Sequence, residues 1–408
     1  MAERGVPRTK ILEGIKVLDL TRIVAGPWCT QMLADLGATV WKIERPGEGD
    51  DTRRMGPAVL DEEGARTSET GLFMTCNRGK RSITVDIATP DGARIIRKLA
   101  ESCDVFVENY KAGGLVKYGL DEPSIRALNP SVVYCSVTGF GTDGPYAARP
   151  AYDFILQGMS GLMSTCGHPD GVPTRTGIPI TDLATGLYAS SAILGALFHR
   201  ERTGEGQFID TSLLDCAVAL VSHFAAGYFL TGVPEQRAGN SNPIAAPANV
   251  FPASDGFINL AAGNNDQFRR LAGAIGLGDM VADPKFRTNA DRIAHRDELH
   301  GRIGEATSRL TMSEAVSLFE AAGVPCGPIN DMAGVFRDPQ VRHRGIEVSI
   351  PLDDGPDVRL VRNPIVFSKT PIAPNPPPRL GQHTDETLRH ELGLPDAEIA
   401  TLRERGAI

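Results

Sequence analysis

The 408-residue sequence has few features of disulfide-linked, metal-binding or membrane-spanning proteins. Its seven cysteines are an odd number without C-x-x-C spacing, which argues against a disulfide framework or a zinc site and predicts buried thiols. The eight histidines are dispersed, so no metal site is expected. No uncharged apolar run reaches the roughly 18 residues that a membrane span requires. We therefore expect a soluble protein that binds neither metal nor membrane.

Two further absences concern location and partners. No apolar segment follows the opening sequence MAERGVPRTK, so no secretory signal is predicted and a cytoplasmic location is expected. The net charge of −8 argues against nucleic acid as a partner, because the field of the whole protein would repel phosphates. Any phosphate-bearing ligand must therefore be held by local basic residues.

The first part of the chain alternates between strand-like and helix-like segments. Strand patterns occur in KVLDL, TVWKI, SITVDI, DVFVEN and SVVYCSVTGFG, and helix patterns lie between them, one of them capped by Thr89. This alternation predicts an α/β fold with a doubly wound parallel sheet. The first strand-to-helix turn reads RIVAGPW and lacks G-x-G-x-x-G, so nothing supports a dinucleotide site.

The length of the chain indicates two domains. Two apolar helices are predicted from Asp182 to Thr203 and from Ser212 to Leu230, followed by a Pro- and Asn-rich linker. A smaller α+β domain is expected at 226–339, and its last helix begins with a capping box at Thr311 and Glu314. The large domain then comprises 1–225 and 340–408, with the tail packed back on the first part of the chain.

Asp182 stands at the start of a long apolar segment and has two possible roles. An aspartate before the apolar stripe of Leu183, Leu187, Leu194 and Phe198 is typical of a helix N-cap. The helix dipole and the backbone donors would keep its carboxylate ionised, as a nucleophile requires. The small neighbours Thr181, Ala184, Thr185 and Gly186 would leave room for a substrate. Local pattern alone favours the cap.

Several motifs together carry a resemblance to a known family. They are AGPWCTQMLADLGATVWKIERPGEGD, CNRGKRSITVDIATPDG, DVFVENYKAGGLVKYGL, YDFILQGMSG, ITDLATGLY, GVPCGPIND with DPQV, and LGQHTDETL. In this order, from about residue 12 to 405, the chain is similar to the class III CoA-transferases, which include formyl-CoA transferase and carnitine CoA-transferase. ITDLATGLY and AAGNNDQF most resemble the dicarboxylate branch, such as the succinate–hydroxymethylglutarate enzyme.

The resemblance implies a fold, an assembly and a reaction. It implies a Rossmann-like large domain that binds CoA, a smaller domain, and a homodimer of two interlocked chains. The expected substrates are an acyl-CoA, with succinyl-CoA as donor, and a carboxylic acid, here a dicarboxylic acid. Coenzyme A enters as a thioester substrate, and no permanently bound cofactor is expected. The family's catalytic carboxylate falls at Asp182, which would pass through mixed anhydrides and an aspartyl-CoA thioester.

The resemblance also assigns candidate CoA-binding residues. They are Val24, Ala25, Arg45, Asn109, Tyr110, Lys111, Lys117, Thr138 and Phe140. Lys117 stands where the formyl enzyme has an arginine. The positive charge is kept, but the bidentate hydrogen bonding of a guanidinium is lost. The cluster Arg78, Lys80 and Arg81 either reaches a phosphate or covers an adjacent acidic face, and the sequence leaves both possibilities open.

Candidate contacts to the acceptor acid are less well defined. The glycine-rich loop of the formyl enzyme is replaced by GNSNPIAAP, in which Asn240 and Asn242 are possible ligands. Arg175 is suited to a distal carboxylate, and Tyr152 is a further candidate.

The sequence leaves two alternatives to CoA transfer. An α-methylacyl-CoA racemase would need a histidine before Asp153, where this chain has Tyr152, a poor base at neutral pH. The second alternative is a non-catalytic CoA-binding module, which would show no turnover.

Overall fold

The computed structural model describes residues 10–60, 63–352 and 357–408. Contacts group them into two compact units. The first comprises the described parts of Met1–Leu162, Thr176–Ala225 and His343–Ile408, and the second comprises Met163–Arg175 and Ala226–Arg342. The domain boundaries predicted from the sequence place 163–175 in the large domain, whereas the structure groups this segment with the second unit.

Strands form one large sheet and three small ones. In chain order they are β1 (Lys16–Asp19), β2 (Thr39–Glu44), β3 (Ala58–Leu60), β4 (Arg66–Thr70), β5 (Arg81–Thr84), β6 (Val105–Glu108), β7 (Val133–Thr138), β8 (Phe208–Ser212), β9 (Ala248–Ala253), β10 (Gly256–Ala261), β11 (Cys326–Pro328), β12 (Glu347–Ile350) and β13 (Val358–Val361).

Helices connect the strands and cover the sheets. They are α1 (Ala25–Asp35), α2 (Gly71–Asn77), α3 (Pro90–Ala100), α4 (Glu122–Leu128), α5 (Asp153–Met159), α6 (Leu162–Thr165), α7 (Ile180–Thr203), α8 (Leu213–Leu220), α9 (Ser222–Thr231), α10 (Asn265–Ala274), α11 (Asp279–Ala282), α12 (Asn289–Ala294), α13 (Arg296–Thr307), α14 (Met312–Ala321), α15 (Met332–Arg337), α16 (Pro339–His343), α17 (Thr384–Leu392) and α18 (Asp396–Glu404).

The first unit is built on a six-stranded sheet in the order β5-β2-β1-β6-β7-β8. All five strand pairs are parallel, which confirms the predicted α/β class. The chain moves outward from β1 to β5 and then returns to the other side of β1 with β6. A crevice for ligands is expected where the strand order reverses in this way. Strand β8, after α7, was not predicted from the sequence.

The strand side chains alternate between two cores because successive residues of a strand point to opposite faces. On one face Leu18, Trp41 and Phe106 pack with apolar residues of α3, α4, α17 and α18. On the other face Val17 and Val40 join a core that includes α1 and α7. Both faces of the sheet are thus covered, which gives three layers.

Helix α7 is long and apolar enough, by length and composition, to span a membrane. Half of its most apolar window is buried in the structure, and Ala189, Ile193 and Ala196 belong to the core that α7 shares with α1. Burial against the sheet and α1 therefore accounts for the buried half of this window. The predicted helix from Ser212 to Leu230 is two helices, α8 and α9, separated at Val221.

The end of the chain returns to strand β5, at one edge of the sheet. Thr384 Oγ1 accepts a hydrogen bond of 2.9 Å from Thr84 N, and Asp86 N donates to Ala407 O at 2.9 Å. Leu388 and Ile399 enter the core on that side. The predicted return of the tail to the first part of the chain is therefore correct.

The second unit has its own core around the antiparallel sheet β11-β10-β9. Ile258 and Leu260 of β10 pack with Phe268, Leu299 and Phe319 from the surrounding helices. Helix α14 begins with the predicted capping box, in which Thr311 and Glu314 each accept a bond from the other's backbone N–H. Cores of this kind identify an independent compact unit.

Candidate functional site

The carboxyl ends of neighbouring parallel strands open on one cavity of about 630 Å³ in the first unit. Leu20 follows β1, Arg45 follows β2, Asp86 follows β5, Asn109 follows β6 and Thr138 ends β7, and all five line the cavity. This is the crevice expected from the reversal of strand order. The sheet topology alone therefore indicates a ligand site here.

Most of the predicted CoA-binding residues lie in the wall of this cavity, and so does Asp182. The lining includes Val24, Ala25, Arg45, Asn109, Tyr110, Lys111, Lys117, Thr138, Tyr152 and Asp182. The sequence had assigned these positions from distant segments, and the fold brings them together.

The loop between β1 and α1 has a strained conformation. Ile23 has φ of 72°, in the left-handed region that a β-branched residue rarely adopts. A buried pair secures the turn: Asp50 accepts from Ile23 N at 3.4 Å and from Lys42 Nζ at 2.8 Å. Val24, the residue before α1, makes no side-chain capping bond. Strained turns persist where surrounding structure fixes them, often at functional sites.

Asn109 has a structural role in this loop. Its Oδ1 accepts from Arg22 N at 2.9 Å, and its Nδ2 donates to Arg22 O at 2.8 Å. The amide thus ties the end of β6 to the end of β1. Asn109 contributes to the cavity by shaping its wall, and both ends of its amide already have protein partners.

Among the described residues, five cations line the cavity: Arg22, Arg45, Lys111, Lys117 and Arg149. Arg45 pairs with Glu48 at 3.0 Å, and Arg22 lies 3.8 Å from Asp51. Arg22 and Arg149 were not predicted from the sequence, although Arg22 is the first residue of RIVAGP and Arg149 lies three positions before YDFILQGMSG. The Arg149 guanidinium lies over the Tyr146 ring at 4.4 Å.

The basic cluster predicted as a possible phosphate site is not part of the cavity. Lys80 is fully buried and donates to Asp19 Oδ2 at 3.0 Å and to Thr30 Oγ1 at 2.7 Å. Arg78 donates to Asp35 at 2.7 Å, and Arg81 pairs with Glu386 at 2.7 Å. All three cations neutralise acids of the fold, so the second of the two open possibilities is correct.

Other candidates also lie outside the cavity wall. Phe140 packs its ring against Tyr146 at 5.5 Å and joins the core on the α1 side of the sheet. Arg175, Asn240 and Asn242 are exposed residues of the second unit. Asn242 Oδ1 accepts from Ile244 N at 2.9 Å, a bond within its own loop.

Asp182 is the third residue of α7, and the residue before the helix is Pro179. The prediction that Asp182 caps the helix is therefore wrong, because its side chain makes no capping hydrogen bond. Asp153, the first residue of α5, takes that position instead. Its Oδ1 accepts from Thr181 N at 2.8 Å and from Thr181 Oγ1 at 2.7 Å.

The protonation of Asp182 also differs from the expectation. Burial, with the nearby charge of Asp153, raises the pKa of Asp182 to about 7. Burial and the charge of Asp153 therefore outweigh the expected effect of the helix start, and the carboxylate is not fully ionised at neutral pH. Perturbed carboxyl groups in clefts are typical of functional sites.

The small residues after Asp182 serve packing rather than substrate entry. Ala184, Thr185 and Gly186 are buried. A Cβ on Gly186 would lie 2.8 Å from Ala25 O and 2.8 Å from Trp28 Cδ1, so glycine allows α7 to approach α1 closely. The expectation that these residues leave room for a substrate is thus wrong.

A second buried carboxyl group lies at the end of β6. Glu108 accepts from Ser136 Oγ at 2.5 Å and from Tyr110 N at 2.7 Å. Burial raises its pKa to about 7. Its bond to Tyr110 supports the loop that contributes Tyr110 and Lys111 to the cavity.

Comparison with known proteins gives the site its context. The model of CoA-transferase family III matches residues 12–384, which is most of the chain. The chain belongs to this family. Enzymes of CoA-transferase family III use CoA thioesters as substrates, and the cavity with Asp182 in its wall is the candidate active site of this family III enzyme.

Similar proteins include two named CoA-transferases and one solved structure. Succinate–glutarate CoA-transferase of Agrobacterium fabrum is 45% identical over 92% of this chain and 94% of its own length. Human succinyl-CoA:glutarate CoA-transferase is 42% identical over 98% of this chain and 90% of its own. A CAIB/BAIF family protein from Brucella suis superimposes with a TM-score of 0.87 at 43% identity, covering 94% and 99% of the two chains.

Proposed function

We propose that this family III CoA-transferase moves CoA from succinyl-CoA to a second dicarboxylic acid, with glutarate as the first acceptor to test. The names and identities of the Agrobacterium and human relatives support this choice. The observation that carries the reaction type is the position of Asp182 in the wall of the cavity formed by the strand ends.

In the proposed mechanism, the ionised Asp182 carboxylate attacks the thioester carbonyl of succinyl-CoA. The C–S bond breaks, and a mixed anhydride and the CoA thiolate form. The thiolate then attacks the aspartyl carbonyl, the anhydride C–O bond breaks, and succinate leaves with an aspartyl-CoA thioester behind it. The acceptor carboxylate repeats these steps in reverse. No ATP is needed, because the energy of the thioester is retained.

The phosphates of CoA are assigned to the cations of the cavity. Lys111 and Lys117 extend from the loop after β6, and Arg45 extends from the end of β2. Each is close to a strand end, where ligands of open α/β sheets bind. The negative charge of the whole chain makes this local concentration of cations necessary.

An interlocked homodimer is part of the proposal. The described surface of the first unit exposes Phe154 and Ile155 on α5 and Leu187, Tyr188 and Phe198 on α7, each by 48% or more. Apolar groups on two adjacent helices suit a contact with a second copy. Light scattering on the eluted protein should give twice the chain mass, and a monomer at working concentration would contradict this part of the proposal.

The proposed location is the cytoplasm, with small-molecule partners and neither nucleic acid nor membrane. All seven cysteines are free thiols, and five of them are buried. Free thiols suit a reducing compartment.

The test is to incubate the protein with succinyl-CoA and a panel of dicarboxylic acids and to follow the new acyl-CoA by mass spectrometry. We expect exchange with glutarate and a covalent CoA adduct on Asp182. Asp182→Ala should abolish both, whereas Asp91→Asn, a change in the first turn of α3, should not.

Two results would contradict the proposal. Exchange by Asp182→Ala at near the wild-type rate would exclude Asp182 as the nucleophile. Loss of the α-proton of an acyl-CoA to deuterated solvent without CoA exchange would indicate the racemase alternative.

A further inference from the structure

Asp153 is a nearly buried acid that the proposed mechanism does not use. It is 8% exposed and lies in the cavity wall with Asp182. Its Oδ1 accepts both donors of Thr181, and its Oδ2 accepts from Gln157 Nε2 at 2.7 Å. Both oxygens accept N–H bonds, a pattern that fits an ionised carboxylate.

The partners of Asp153 hold it in place without neutralising it. Gln157 is itself fixed, since its Oε1 accepts from Thr176 N at 2.9 Å. Within the described residues, no lysine, arginine or histidine nitrogen lies within 4 Å of the Asp153 oxygens. Asp19 and Asp50, by contrast, are buried acids with direct lysine partners.

Thr181 links this charge directly to the nucleophile, because Asp182 is the next residue. Two carboxylates that share a poorly solvated site repel each other, so one of them is more stable in a neutral form. Asp182 is neutral when protonated, and it is also neutral as an anhydride or a thioester.

We propose that Asp153 is a positioning residue that fixes the start of α7 through Thr181 and, by its uncompensated negative charge, favours the neutral acyl forms of Asp182 over the free carboxylate. This inference rests on the proposed function, since it concerns the same nucleophile. It assigns Asp153 no contact with the reacting atoms.

The balance of the half-reaction shows why such a charge matters. Enzyme carboxylate and succinyl-CoA become aspartyl-CoA and free succinate, so one negative charge leaves Asp182 with the departing acid. Repulsion from Asp153 is present before the reaction and absent after it. The fixed charge therefore drives the enzyme toward the covalent intermediate.

Other titratable groups on the elements packed against α7 act less on Asp182. They are Cys29 and Asp35 on α1, Tyr134 and Cys135 on β7, Asp210 on β8, and Asp215 and Cys216 on α8. Arg22 and Arg149 also line the cavity. The charge effect on the pKa of Asp182 comes from Asp153.

The experiment compares wild type with Asp153→Asn, which keeps an acceptor oxygen for Thr181 and removes the charge. The first measurement is the pH dependence of kcat/KM, whose acid limb in wild type should lie near pH 7, the pKa of Asp182. The second is the equilibrium ratio of CoA adduct to free enzyme with succinyl-CoA and succinate, read by mass spectrometry at alkaline pH.

In Asp153→Asn the acid limb should move to lower pH, and the adduct ratio should fall by the same factor. Each unit of the pH shift corresponds to about a tenfold lower ratio, because protonation and acylation neutralise the same carboxylate. Asp153→Glu should restore both values toward wild type. A purely structural role would lower kcat without this matched pair of shifts.

An acid limb and an adduct ratio that are unchanged in Asp153→Asn would overturn the inference while the proposed function stands. Absence of any adduct in wild type, with exchange by Asp182→Ala, would instead refute the proposed function. Asp153→Ser, which offers a short uncharged acceptor at the helix start, repeats the test if Asp153→Asn does not fold. A wild-type limb at the ordinary pKa of an aspartate would overturn the inference without any variant.

Discussion

Replacement of Lys80 by methionine tests whether the cluster of Arg78, Lys80 and Arg81 binds CoA or stabilises the fold. Lys80 Nζ donates to Asp19, Thr30, Asn77 Oδ1 at 2.9 Å and Pro27 O at 3.0 Å. Methionine has a similar shape and supplies none of these bonds. Asp19, also fully buried, would lose its nearest cation.

Removal of one partner of a buried pair costs about 3–5 kcal/mol, because the other charge stays buried without compensation. We therefore expect Lys80→Met to lower the free energy of unfolding by about this amount. The variant should unfold at a clearly lower urea concentration than wild type. Once folded, it should bind succinyl-CoA with a KM close to that of wild type. The double variant Lys80→Met with Asp19→Asn should recover part of the loss, since it removes the orphaned charge.

Lys111→Met is the matched comparison, because Lys111 is an exposed cation of the cavity wall. It should raise the KM for succinyl-CoA and leave the unfolding midpoint nearly unchanged. If Lys80→Met instead kept the wild-type midpoint and raised the KM, the assignment of Lys80 to the fold would be refuted.

The remaining predictions concern helix packing and a buried acid. Gly186→Ala places a Cβ 2.8 Å from Ala25 O, so it should cost about 1–3 kcal/mol of stability and lower kcat. Gly195→Ala is the control on the same helix, because a Cβ there meets open space. It should be neutral or stabilising in the same urea titration. Burial raises the pKa of Glu108 from 4.5 to about 7, so the contribution of Glu108 to stability should be fully present below about pH 4.5 and be lost, by about 3 kcal/mol, as pH rises through 7. Between these pH values the stability of wild type should fall more steeply than that of Glu108→Gln, and parallel profiles for the two proteins would contradict the assignment.

Features set by a few adjacent residues were predictable from the sequence. Thr89 accepts from Gly92 N at 3.0 Å as expected of a cap, and the capping box of α14 is present. Both depend only on residues three positions apart. The parallel sheet was also predictable, because apolar segments typical of buried strands alternate along the chain with segments typical of helices.

Features set by distant residues were not predictable in this way. Asp182 has the local pattern of a cap, but α7 begins two residues earlier, at Ile180. The first turn of α7 is bonded instead by Asp153, which lies 28 positions before Thr181. The partner of Lys80 is Asp19, 61 positions away. Nothing in CNRGKRS distinguishes a buried lysine from a phosphate ligand. The family resemblance indicated the nucleophile, but the charge that acts on it became apparent only from the fold.

The return of the chain end to strand β5 has a consequence for biosynthesis. Thr84 and its partner Thr384 are 300 residues apart, a separation that a ribosome covers in about 15–60 s at about 5–20 residues per second. Until then β5, an edge strand of the sheet, lacks the helix that covers it. Uncovered edge strands pair readily with other chains. In the nascent protein this edge therefore stays uncovered until Thr384 and the residues after it have emerged, when every residue of the cavity wall has already been made.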